Sequence, residues 1–88
     1  MVYVFLAEGF EEIEAVTVID VLRRSGTEVV SVGIGGKNIK GARGITVCAD
    51  TDDSSAALDD KLEMIYLPGG LKGMQNLDAS DFVEKAIR

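Results

Sequence analysis

The chemistry this sequence can offer is concentrated in one carboxylate, one glycine turn and one thiol. Residues 11–25 carry helical apolar spacing. With Ile13 at zero on a wheel of about 100° per residue, Val21 falls at about 80°, Glu14 at about 100°, Val18 at about 140° and Leu22 at about 180°. Glu14 therefore lies inside the apolar arc, whereas Glu11, Glu12 and Asp20 are accounted for by the helix start or its more polar side. A carboxylate on an apolar face is costly unless paired, neutral or hydrogen-bonded. Burial there favours the protonated form, a carboxylic acid able to donate to a neighbouring anion. The alternative is that the helix rolls and Glu14 reaches solvent or an arginine of a partner. The second feature is Leu67-Pro68-Gly69-Gly70 at a strand end. Proline ends the ladder, and glycines admit close approach of a ligand to the backbone. The Gly69 and Gly70 amides could hold an oxyanion there, or the segment is an ordinary strand-to-helix turn. Cys48, the single cysteine, has only Arg43 as a nearby cation to lower its pKa and reads as a packing or surface thiol.

These residues need a frame to hold them. Tyr3 to Ala7 is apolar without alternation, as in a parallel strand covered on both faces. Glu8-Gly9-Phe10 turns the chain into the helix, whose acidic first turn and basic last turn (Arg23, Arg24) match the helix dipole, and Gly26 stops it. Thr27–Gly33 is a second strand. Ile39–Arg43 is a short strand or loop, Ile45–Cys48 another short strand, and Asp50–Ser54 a polar loop leading to a weak turn over 56–60. Leu62–Leu67 is the next core strand. Residues 71–77 are irregular or a short helix, and Ser80-Asp81 starts a last helix. Strand–helix–strand order implies a right-handed parallel crossover, hence an α/β fold. Such folds place their sites at the C-terminal ends of parallel strands. Both Glu14 and the Pro68-Gly69-Gly70 turn lie just beyond such ends.

Composition removes several function classes. The 88 residues are 47% hydrophobic, enough for one small domain and no more. A net charge of −6 with nine scattered basic residues disfavours nucleic acid. No apolar run approaches the roughly 20 residues of a membrane span. Met1-Val2-Tyr3 enters a strand directly, so no signal peptide is expected, and one cysteine suits a reducing, cytoplasmic setting. The absence of histidine removes the commonest general base and metal ligand, and neither metal nor cofactor is expected. Gly33-Ile34-Gly35-Gly36 lacks the spacing of a phosphate loop.

Taken together, Ala7-Glu8-Gly9-Phe10-Glu11-Glu12-Ile13-Glu14, the Asp20–Gly26 helix end and Leu67-Pro68-Gly69-Gly70 appear in the order and at the separations of the ThiJ/PfpI family, and the chain resembles the N-terminal half of a member over essentially all of residues 1–88. The resemblance implies a flavodoxin-like α/β sandwich with a parallel sheet. It implies a homodimer and a reactive cysteine at a strand-to-helix elbow. By position, Glu14 matches the glutamate that hydrogen-bonds that cysteine, and Gly69 and Gly70 match the backbone oxyanion site facing it. Arg24 and Arg43 match arginines near the dimer interface, and Cys48 matches a peripheral cysteine, not the nucleophile. The elbow cysteine and its frequent histidine companion are expected beyond Arg88. The remainder of the domain is expected on further chain, with a second polypeptide completing the sandwich the favoured arrangement. The function so implied is a cysteine-dependent enzyme acting on small reactive carbonyls, of glyoxalase or deglycase type. The alternatives are a redox-responsive chaperone or stress sensor of the same family, or a peptidase-like member. A receiver-type signalling domain fits poorly, because Leu67-Pro68-Gly69-Gly70 stands where such domains need an aspartate.

Overall fold

Val2–Leu6 form strand β1, and all five side chains are buried. The computed structural model describes residues 1–58, 62–69, 80, 83, 85 and 87. Burial on both faces is what an unalternating apolar run requires of a parallel strand. Val2, Val4 and Leu6 point into one core layer with Phe10, Ala15, Val29 and Ile39. Tyr3, Phe5 and Ala7 point into a second layer with Val32 and Val83.

The remaining elements are helix α1 (Glu12–Arg24) and strands β2 (Val29–Gly33), β3 (Asn38–Lys40), β4 (Thr46–Cys48), β5 (Thr51–Asp52) and β6 (Met64–Tyr66). A four-stranded sheet runs β5-β2-β1-β6, with all three pairings parallel, and β3 and β4 form a separate antiparallel hairpin. The expected α/β fold with a parallel sheet is therefore present. Helix α1 ends as the sequence implies: Gly26 has φ +87, its N–H donates to Arg23 O at 3.1 Å, and Thr27 N–H donates to Leu22 O at 3.0 Å. These are the two bonds of a Schellman stop. Ser80 Oγ accepts the Val83 N–H at 3.3 Å, and residues 83, 85 and 87 are helical, as a capped last helix requires. The irregular segment expected at 71–77 lies outside the described residues.

Two readings need correction. The Asp50–Ser54 segment is not all loop, because Thr51 and Asp52 pair with Val32 and Gly33 as an edge strand. The cause is side-chain bonding from the preceding residue. Asp50 Oδ2 accepts the Ser31 N–H at 3.0 Å, and Asp50 N–H donates to Ser31 Oγ at 2.8 Å. Arg23 then bonds both Asp50 (2.6 Å) and the Val29 carbonyl (2.9 Å), so the β5 register is set by polar groups that apolar periodicity cannot reveal.

The second correction is the roll of α1. Its inward residues are Glu12 and Ala15, with Ile19 and Leu22 packed against the same core. Ile13 is 81% exposed, Val21 56% and Val16 49%. Glu14 is exposed too, not enclosed in an apolar arc. The buried face is centred on Leu22, Ala15 and Ile19, at about 180°, 200° and 240° on the same wheel, with Glu12 beside them at about 260°.

Candidate functional site

The site lies where β1 and β6 end side by side. Their register pairs Val2 with Met64, Tyr3 with Ile65 and Val4 with Tyr66, so Pro68 and Gly69 emerge level with the end of β1. The turn after β1 closes through Phe10 N–H to Ala7 O at 3.0 Å, and Glu11 N–H donates to Gly69 O at 3.0 Å. That bond joins the two strand-end loops across more than fifty residues of sequence. Pro68 is buried and gives the β6 loop a fixed base.

Glu14 stands in the first turn of α1, beside Gly69. A Cβ on Gly69 would lie 2.9 Å from Glu14 Oε2 and 3.1 Å from Oε1, so the absent side chain is what lets the carboxylate reach the backbone. No hydrogen bond or ion pair to the Glu14 carboxylate occurs among the described residues. The structure thus brings Glu14 and Gly69 together. Gly70 lies outside the described residues.

Glu12, which helix periodicity passes over, is the group with the more unusual environment. It is 5% exposed. Its Oε2 accepts the Arg43 N–H at 2.7 Å and the Ile45 N–H at 3.3 Å, while Oε1 is buried with no hydrogen-bond partner among the described residues. Burial pushes its carboxyl pKa up. The N–H groups of Glu12, Arg43 and Ile45 and the Arg43 charge outweigh that and hold it below the ordinary carboxylate value. Gly41 closes over it, since a Cβ there would fall 2.4 Å from Glu12 Cδ. Gly9 N–H to Lys40 O (2.9 Å) and Ala42 N–H to Phe10 O (2.8 Å) extend the clasp between the β1–α1 turn and the hairpin loop. The glycine at 41 is the single sequence signal for this contact, and it is mute about its partner.

Cys48 is exposed at the end of β4, its Sγ 3.8 Å from the adjoining Ala49 carbonyl. Arg24 pairs with Asp20 at 3.1 Å on the outer side of α1. Among the described residues no group of His, Cys, Asp and Glu is placed to hold a metal, and no helix is long and apolar enough to cross a membrane. The arrangement offers an exposed carboxylate beside a strand-end glycine.

The model of the DJ-1/PfpI family matches residues 1–88. The chain belongs to this family. Among curated DJ-1/PfpI proteins it is similar to the Parkinson disease protein 7 homolog of Danio rerio, 37% identical over 97% of this chain and 46% of that protein. Among solved structures it is similar to Drosophila melanogaster DJ-1beta, at 35% identity and TM-score 0.92 over 99% of this chain and 47% of that one. It is also similar to an oxidised form of Toxoplasma gondii DJ-1, at 31% identity and TM-score 0.79 over 98% and 47%. The fold is thus the flavodoxin-like α/β fold of the DJ-1 superfamily, and the chain spans about half the length of the relatives it matches.

Proposed function

We propose that residues 1–88 are the N-terminal half of a cysteine-dependent DJ-1/PfpI enzyme acting on small reactive carbonyls, of glyoxalase or deglycase type. The observation that carries this is the exposed Glu14 carboxylate beside Gly69, at the joined ends of β1 and β6. The nucleophile is a cysteine from the other half of the domain. Its thiolate attacks the aldehyde carbon, a C–S bond forms, and the carbonyl π pair moves to oxygen. The Gly69 and Gly70 amides stabilise that oxyanion, and Glu14 holds and delivers the proton that neutralises it. No metal or cofactor takes part.

The surface supports two further elements. Strand β6 has β1 on one side and, among the described residues, no strand on the other. Its Met64 and Leu67 are exposed, a face the rest of the domain covers. The outward apolar side of α1 (Ile13, Val16, Val21), with Arg24 beside it and Ile45 also exposed, is the surface of a homodimer. A reducing cytoplasmic setting agrees with the exposed, unbridged Cys48.

A redox-responsive stress protein is the second reading, favoured by similarity to a relative whose structure is of an oxidised form. In it Glu14 bonds the oxidised sulfur. The deciding test is Glu14→Gln in the full-length protein, assayed on methylglyoxal and, in parallel, for oxidant-dependent suppression of aggregation. Turnover lost in the variant supports the enzyme. Wild-type turnover removes Glu14 from the mechanism, and oxidant-dependent protection without turnover selects the second reading.

A further inference from the structure

We propose that Glu12 is a positioning residue of this site: its buried bonds to the 43 and 45 amides pin the first turn of α1 and so hold Glu14 against Gly69. This rests on the reading of Glu14 just given, and its evidence is separate. Glu12 and Glu14 are two residues apart, about 200° around the helix axis, so holding one inward turns the other outward. Ala15, Ile19 and Leu22 pack against the core on the side of α1 that Glu12 shares, and Ile13, Val16 and Val21 are left outside. At the first turn of the helix the Glu12 bonds tie that side to the hairpin. Oε2 receives the Arg43 and Ile45 N–H groups, Gly41 leaves room for the carboxyl group, and Phe10 and Gly9 are bonded into the same hairpin. If α1 rolled to enclose Glu14, Glu12 would leave both amides, and the Glu11 N–H would swing from the Gly69 carbonyl.

The test is Glu12→Gln in the full-length protein, which keeps the shape and removes the charge. Two readouts go beyond a structural role. One is amide hydrogen exchange at Glu11, the residue bonded to Gly69. The other is the pH profile of alkylation of the reactive cysteine, with Glu14→Gln as comparator. Exchange at Arg43 and Ile45 is expected to accelerate, exchange at Glu11 to accelerate about tenfold, and the alkylation midpoint to move by about one pH unit in the direction Glu14→Gln moves it. Faster exchange confined to Arg43 and Ile45, with Glu11 and the alkylation profile unchanged, overturns the inference and leaves Glu12 a hairpin clasp. If Glu14→Gln itself leaves the profile unmoved, the reading of Glu14 fails, and Glu11 exchange alone decides for or against Glu12. Should Glu12→Gln not fold, Gly41→Ala displaces the same carboxylate with its charge retained, and the same outcomes apply.

Discussion

The carboxylate of Glu14 fills the space that a side chain at position 69 would need, with both oxygens close to where a Gly69 Cβ would stand. Gly69→Ala therefore acts on Glu14 more than on the fold, because the obstructed group is the far end of a mobile, exposed side chain. In the full-length protein, stability is expected to fall by less than about 1 kcal/mol. Turnover of a small aldehyde is expected to fall about tenfold or more, since a displaced proton carrier loses its alignment. Steady-state kinetics beside a urea melt checks both, and unchanged turnover would show that the contact is incidental.

At Gly41 the balance is reversed. A Cβ would press on the Cγ, Cδ and Oε2 atoms of Glu12, which is buried and bonded and has nowhere to go. Gly41→Ala is expected to cost about 1–3 kcal/mol, the range of overpacking in a filled core, read from the urea midpoint at constant slope.

Acid should find Glu12 as well. Its folded pKa lies below the ordinary 4.5, so between those two values the unfolded chain binds more protons. The contribution is complete above 4.5 and disappears as pH falls through the folded value. Asp50 and Asp52 are lowered too. For Asp50, burial raises and the Ser31 and Arg23 bonds lower; for Asp52 the leading cause is the Ser54 hydroxyl. The two aspartates weaken the protein only as pH falls below their ordinary 3.8, lower than the onset for Glu12, so Glu12→Gln should flatten the wild-type decline below pH 4.5 without abolishing it. A pair of unfolding series at stepped pH measures the difference.

Asp50→Ala removes the acceptor shared by Ser31 and Arg23. The ion pair is about half exposed, so most of the expected loss of about 1 kcal/mol comes from the Ser31 bonds and little from charge. Release of β5 should accelerate amide exchange at Asp53, whose N–H is held by Gly33 O at 2.9 Å.

Ile13→Lys places a charge at the most exposed apolar position of α1. If that face joins two copies, the full-length variant sediments as a monomer where the wild type is a dimer. Its own folding stability should move by less than about 0.5 kcal/mol.

Much of the frame was legible in the sequence because it depends on apolar runs and glycine stops. The buried β1, the Schellman stop at Gly26 and the parallel crossover all follow from local pattern. The wheel singled out Glu14, but for a burial it does not have. What the pattern missed is polar: Glu12 beneath Gly41, and Asp50 locking β5 to Ser31. These contacts join residues some twenty to thirty apart, and an amide donor carries no residue type for periodicity to detect.

The parallel pairing of β1 with β6 has a consequence for how this half of the protein tolerates change in length. The Glu14–Gly69 contact is measured out by two rulers, one from Val4 to the start of α1 and the other from Tyr66 to Gly69. One residue inserted in either would shift its end by about 3.3 Å, more than the gap that a single Cβ occupies. The tip of the β1–α1 connection and the Leu67-Pro68-Gly69 segment should thus be nearly fixed in length among working variants. The stretch between β5 and β6 carries no residue of either ruler, so a change in its length leaves both spans as they are.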